Sequence, residues 1–159
     1  PISENMTMGE LHDELKVKGA ELLLEVIDEI AAAKAMPEKQ NEAEATYASL
    51  LKRDMERIDW SKAAADIHNL IRGFNPAPGA FTKLPDGKNL KIWGSRLTDK
   101  AATAEPGTVV EATKHSFFVA CGDGVLEIIE VQPESKKRMA AQVFINGRGV
   151  QVGDVLGKE

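Results

Sequence analysis

Lys136, Lys137 and Arg138 form an unbroken run of cations inside the segment Gln132-Pro133-Glu134-Ser135-Lys136-Lys137-Arg138, directly ahead of a stretch with helical spacing. Positive charge ahead of a helix start opposes the helix dipole, which favours anions there. Packing asks for none of the three, so phosphate contact is the chemistry that would justify them. A purely solubilising run is the competing reading. The other chemistry-bearing residue types stand alone. His12, His68 and His115 have no second His or Cys at metal-ligand spacing, and His68 has no nucleophile with an orienting carboxylate. His12 and His68 read as surface or hydrogen-bonding residues and His115 as a turn residue. The single cysteine, Cys121, ends an apolar run and reads as a small buried hydrophobe. Gly122-Asp123-Gly124 lacks the lysine and helix start of a P-loop and reads as a hairpin turn. No catalytic set and no metal set emerges.

The elements that must position the basic loop follow from hydrophobic period and turn chemistry. Strands are expected over 80–84, 89–97, 108–112, 116–121, 125–131 and 149–155, with Asp86-Gly87 as a hairpin turn and one late helix over 139–146. Five or six short strands with one late helix suggest a small closed or nearly closed barrel, OB-like in size. A leading helix over 61–74 precedes it. Ser61 is placed to cap that helix and Asp59 to supply negative charge at its start. Ala63, Ile67, Leu70, Ile71 and Phe74 share one face, Gly73 suits a left-handed C′ position, and Asn75-Pro76 forbids continuation. Trp60 is expected to seal the helix start against the barrel.

Upstream, Thr7 and Glu10 have capping-box spacing. Leu11, Leu15, Leu22, Val26, Ile27 and Ile30 then recur at helical period, with Gly19 expected to break or kink the helix. Leu22-Leu23-Leu24 makes this face wide enough to need a large partner, and packing on a second copy or on the barrel is expected. The run after Met36-Pro37 is polar and aperiodic, with Tyr47, Leu50 and Leu51 expected to anchor it along a surface. The chain is thus read as α+β: terminal helices over 1–34, a connector over 35–59 and a barrel domain over 60–159.

Composition agrees with a folded chain whose core is aliphatic, since 43% of residues are hydrophobic but only 5% aromatic. Residues 1–59 carry 7 Lys/Arg against 14 Asp/Glu, whereas residues 60–159 carry 13 against 11, giving the net charge of −5. The basic half keeps nucleic acid open as a partner without requiring it. No run approaches the ~20 apolar residues of a membrane span. With no secretory leader pattern and no disulfide-capable pair, a cytoplasmic setting is expected. The opening Pro1-Ile2, without Met, fits the interior of a longer polypeptide.

Taken together, the residues resemble the methionyl-tRNA formyltransferases. The likeness runs along the whole chain: GELHDEL and GAELLLE, then TYASLL, RIDWS, IRGFNPAPGA, LKIW, PGTV, VACGDGVLEI and VQPESKKRMAA. The resemblance implies that residues 1–34 end a Rossmann-like catalytic domain lying upstream, and that the barrel is OB-like and helps hold tRNA. It implies transfer of a formyl group from 10-formyltetrahydrofolate to the amino group of initiator methionyl-tRNA. The catalytic motifs of that family are absent here, so no histidine inherits a catalytic role and this stretch alone is expected to be inactive. Lys136, Lys137 and Arg138 become expected tRNA contacts, with Lys91, Arg72 and Arg148 as secondary candidates. Two positions depart from the family: Ala77, where relatives often carry an aromatic, and Ser135, where Gly is usual. A sugar-nucleotide formyltransferase and a purely structural barrel are the alternatives. No membrane partner is expected, and the exposed N-terminal face would allow self-association.

Overall fold

Alternating and helical periods resolve, in the computed structural model, into the elements needed to hold the basic loop; the structure describes residues 1–158. In chain order they are α1 (Met8–Ala31), α2 (Ala64–Gly73), β1 (Phe81–Lys83), β2 (Asn89–Leu97), β3 (Val109–Ala112), β4 (Phe117–Ala120), β5 (Val125–Pro133), β6 (Met139–Ala140) and α3 (Ala141–Asn146). Single 3-10 turns at Glu42–Glu44 and Arg53–Glu56 punctuate the connector.

All strand pairs are antiparallel, in the order β1-β2-β5-β4-β3, and β6 adds to β5. The register of β2 on β5 slips around Trp93 and Gly94, and that of β3 on β4 slips between Val109 and Glu111. Such bulges bend the bulged strand and raise the local twist, so the sheet curls into a half-barrel. Gly94 is required in the bend, because a Cβ there would lie 2.8 Å from Ile129 Cγ1. The edges β1 and β3 do not pair with one another. Residues 153–157 lie between them instead: Gly153 N donates to Val109 O, Val109 N to Asp154 O, Leu156 N to Gly107 O and Gly157 N to Lys83 O. Ile58 N donates to Phe81 O and covers the β1 edge further.

The concave side of the sheet holds the core. Leu90, Ile92, Phe117, Val119, Leu126, Ile128 and Val131 are fully enclosed. α2 lays Ile67, Ile71 and Phe74 across them, and α3 adds Ala141 and Phe144. Each such side chain removed from water contributes about 1.5–3 kcal/mol. Trp60 is buried as expected, and its Nε1 donates to Thr82 Oγ1 at 2.9 Å, which satisfies two polar groups that the core would otherwise leave unpaired.

Several local expectations change. Residues 149–155 form no strand, because Val155 makes only an isolated bridge to Thr108. Ser61 does not cap α2: its N–H and hydroxyl both donate to Asp59 Oδ1, at 3.0 and 2.6 Å, closing a local turn. These two bonds hold the Asp59 carboxyl below the usual carboxylate range. The cap comes from far along the chain, where Asp123 Oδ1 accepts from Ala64 N at 2.7 Å. Gly73 ends α2 inside the helix, and Phe74 is the C-cap. Gly19 breaks nothing. A glycine costs a helix only about 1 kcal/mol relative to alanine, and good helix formers flank it.

The Thr7–Glu10 capping box is present in full. α1 has no buried residue, and Leu15, Leu22, Leu23, Leu24, Ile27 and Ile30 stand half or more exposed. The face expected to find cover on the barrel is therefore bare of it. Tyr47 and Leu50 are also almost fully exposed, so they anchor nothing within the described residues. None of the described helices is long and apolar enough to cross a membrane.

Candidate nucleic-acid interface

The loop Glu134–Arg138 joins β5 to β6, and its shape is set by Ser135, whose φ of 61° lies in the left-handed region. A non-glycine residue pays for that conformation, which gives the usual glycine of the resembled family a physical reason. Lys136 N closes the turn by donating to Pro133 O, and Gln132 Nε2 donates to Lys136 O at 2.9 Å. The loop is thus fixed from behind while its side chains point outward.

The three cations are not equivalent. Arg138 is committed to the protein: one guanidinium nitrogen donates to Glu130 Oε2 at 2.5 Å, another to Asn75 Oδ1 at 3.3 Å, and the group lies 5.0 Å over the Trp93 ring. Lys136 and Lys137 are exposed, and among the described residues neither ammonium group has a hydrogen bond or ion pair. They are the pair free to meet phosphate.

Lys91 sits beside the loop. Its ammonium donates to Pro78 O at 2.6 Å and lies 5.6 Å from the Trp93 ring, and it lines a shallow cleft of about 210 Å³ with Asn89, Gln132, Pro133, Glu134 and Ser135. Trp93 is thus flanked by Lys91 and Arg138 and held by Nε1–H donating to Gln132 Oε1 at 3.0 Å. Arg72 is committed to the protein, its Nε–H donating to Asn69 Oδ1 and Nη1 to Met6 O at 2.9 Å, and it lines a cleft together with Trp93 and Arg138. Arg148 follows α3 in a left-handed conformation, exposed, and shares no contact with the other five among the described residues. Of the six candidates, Lys91, Lys136, Lys137 and Arg138 lie on or beside the loop, Arg72 shares a cleft with Arg138 but is bound to the N-terminal segment, and Arg148 stands apart.

The remaining chemistry-bearing residues serve structure. Cys121 is enclosed, and burial pushes its thiol up to about 12, so it is inert at neutral pH. His115 N–H donates to Thr113 Oγ1 within a turn. Of the two readings of His68, surface or hydrogen-bonding, the second holds. The residue is 4% exposed, with Nδ1 2.9 Å from Ser95 Oγ and Nε2 3.3 Å from Glu4 O. A carbonyl only accepts, so Nε2 carries the proton and Nδ1 accepts from the serine hydroxyl. Its off-stripe position hid this burial, because the pocket it fills is made by the far-off Ser3–Gly9 segment.

Burial lowers the His68 pKa from its ordinary 6.5, with Arg72 adding to the effect and the Glu4 contact opposing it. The folded form therefore refuses a proton that the unfolded chain accepts. Stability is intact above about pH 6.5 and falls as pH drops from there toward the folded value. We expect thermal midpoints at about pH 7.5 and about pH 5.5 to differ in the parent chain, and the difference to shrink in His68→Gln. Asp13, Asp59 and Asp86, whose carboxyls are held low by hydrogen bonds, lose their contributions only in a more acid window.

Comparison with known proteins places this architecture. Residues 50–149 match the family of the formyl transferase C-terminal domain. The chain is 47% identical over 157 residues to a methionyl-tRNA formyltransferase of Bacillus subtilis, covering 98% of this chain and 49% of that protein. It is 49% identical over 155 residues to the enzyme of that name from Symbiobacterium thermophilum, covering 96% and 47% respectively. The chain thus spans about half the length of the curated relatives it matches. Among solved structures, a variant of HypX from Aquifex aeolicus superposes with a TM-score of 0.68 at 17% identity, over 92% of this chain and 27% of that one. HypX in complex with tetrahydrofolic acid gives 0.60 at 18% identity over 80% and 22%, and both likenesses concern the fold alone. With more than half of its residues matched by that family, the chain belongs to the formyl transferases, as their C-terminal domain.

Proposed function

We propose that the chain is the C-terminal half of a methionyl-tRNA formyltransferase and that its OB-like barrel grips the initiator tRNA while the chemistry takes place elsewhere. The observation that carries this reading is the near-complete coverage of the chain by relatives bearing that name, at 47% identity. In such an enzyme the methionyl amino nitrogen would gain an amide bond to the formyl carbon and lose a proton, as the bond from that carbon to N10 of the folate breaks and tetrahydrofolate leaves. The two tryptophans, 4% and 7% exposed, offer no open ring face on which a pterin could stack, and Tyr47 stands alone in the connector with no cleft beside it among the described residues. The carrier and the catalytic set are therefore assigned to the half of the relatives' length that this chain does not match. Residues 1–34 belong with that Rossmann-like half, 35–59 connect, and 60–159 hold RNA in a cytoplasmic enzyme. The bare α1 stripe is the surface that the catalytic half covers, and two copies of the chain alone would meet through it.

Within the barrel, Lys136 and Lys137 contact RNA phosphates. Arg138 and Lys91 hold Trp93 and the loop base in shape beside them. Arg148 is a separate peripheral contact. Phosphate contacts release counterions, so binding is weak and strongly salt-dependent. We expect each lysine to contribute about 0.7–0.9 to the slope of log K against log salt. Lys136→Ala/Lys137→Ala should lower tRNA affinity at low salt about 10-fold and flatten that slope by roughly 1.5. Fluorescence anisotropy with labelled initiator tRNA measures both. Unchanged affinity in the double variant would sink the loop assignment and leave a barrel that only positions the catalytic half. Formyl transfer by the chain alone would place the chemistry wrongly.

A further inference from the structure

The segment Ser3–Gly9 walls one side of a cleft of about 370 Å³ through Asn5 and Thr7, and the lining opposite includes His68, Arg72, Asn75, Trp93 and Arg138. Three barrel-side residues take hold of it through its backbone. Arg72 Nη1 donates to Met6 O at 2.9 Å and to Ser3 O at 3.4 Å. His68 Nε2 donates to Glu4 O at 3.3 Å. Gly9 N, in the first turn of α1, donates to Asn75 O at 3.0 Å, and a Cβ on Gly9 would lie 2.6 Å from Pro76 Cδ. Asn75 is itself 8% exposed and fixed to the sheet, with Nδ2 donating to Trp93 O at 2.8 Å while Oδ1 accepts from Arg138.

We infer that Ser3–Gly9 is a strap that clamps the root of α1 to the barrel, and that Arg72, with His68 and Asn75, positions α1 rather than touching RNA. Contacts to main-chain carbonyls and amides fix direction without depending on the strap's side chains. The clamp grips seven residues ahead of and into a 24-residue helix that buries none of its own side chains. The direction of the whole helix, and of whatever packs on its apolar stripe, is therefore set at this one point. Asn75 joins the clamp to the phosphate patch, because its side chain holds Arg138, which stacks on Trp93 beside Lys91. The long connector between Ala31 and Ile58, exposed and without regular structure beyond two short turns, is too slack to do this. What α1 carries rests on the functional reading given above, whereas the clamp itself does not.

Spin labels at Glu25→Cys and Lys114→Cys, both exposed positions, report the direction of α1 relative to the barrel in the full chain. The buried Cys121 stays unlabelled, as the parent without added cysteines verifies, and excess unlabelled chain suppresses distances between copies. The expected result is one narrow distance in the parent, lost to a broad distribution in Arg72→Ala. Gly9→Ala, which alters the strap without removing any barrel side chain, gives the same loss with the thermal midpoint of the barrel kept, and it decides the matter if Arg72→Ala fails to fold. A broad distance in the parent, or a narrow one retained in Gly9→Ala, overturns the clamp. No RNA enters the experiment, so its failure and a failure of tRNA binding are separate results.

Discussion

Gly122→Ala is expected to cost roughly 3 kcal/mol or more, from a single added methyl group. A Cβ at Gly122 would stand 2.1 Å from Ser61 O and 3.0 Å from Lys62 O, both main-chain atoms that cannot rotate aside. The turn between β4 and β5 and the turn ahead of α2 are already in contact there: Gly122 N donates to Lys62 O at 2.8 Å, and Asp123 caps Ala64 N. Making room means separating the two turns, which breaks both bonds at about 1 kcal/mol each and leaves the start of α2 uncapped. Gly124→Ala is the control, since the nearest atom to its Cβ would be Lys100 O at 3.4 Å, an ordinary contact. Urea unfolding of the two variants should separate them clearly, and near-equal midpoints would mean that the turns part without penalty.

Phe117→Ala is the second large effect, at about 3–5 kcal/mol. The ring has no exposure, faces Ile128 across the β4–β5 ladder and meets Phe144 of α3 at 6.5 Å and 48°. Its loss opens a cavity at the point where α3 is held to the sheet, between the buried Ile128 and Phe144. For a domain of about 100 residues this corresponds to a fall in thermal midpoint of at least ~12 °C. Leu97→Ala, at the half-exposed end of β2, should move it far less. A small shift in Phe117→Ala would show the core to be looser than its burial indicates.

The two predictions draw on features of different legibility. The alternation that buries Leu90 and Ile92, and the stripe Ile67, Ile71 and Phe74, can be read from spacing because one element's own period decides which side faces the core. The Asp86-Gly87 turn, with Gly87 at a φ of 82°, is equally local. What stayed hidden depends on residues far apart in the chain. Ser61 has the right type to cap α2, but Asp123 does so from 59 residues away. His68 sits off the apolar stripe and is buried all the same, because Ser3–Gly9 closes over it. For the basic loop, sequence gives three equal cations. Only geometry separates Arg138, tied to Glu130, Asn75 and Trp93, from the two free lysines. Arg72 joins them only through the family resemblance, and its partners are the Asn69 side chain and the main-chain carbonyls of Ser3 and Met6.

Residues 153–157 have no ladder of their own, yet they stand where the half-barrel would otherwise present two bare strands. An uncapped strand is a template on which another chain can add by backbone pairing alone, whatever its side chains. Here Val109 N and O at the start of β3 and the Lys83 carbonyl of β1 are already engaged by Gly153, Asp154 and Gly157, and Ile58 takes the Phe81 carbonyl on the same edge of β1. Protection against templated assembly thus resides in the least regular stretch of the barrel. The turn-forming Gly153 and Gly157, both at positive φ, then carry a protective role that no regular strand here supplies.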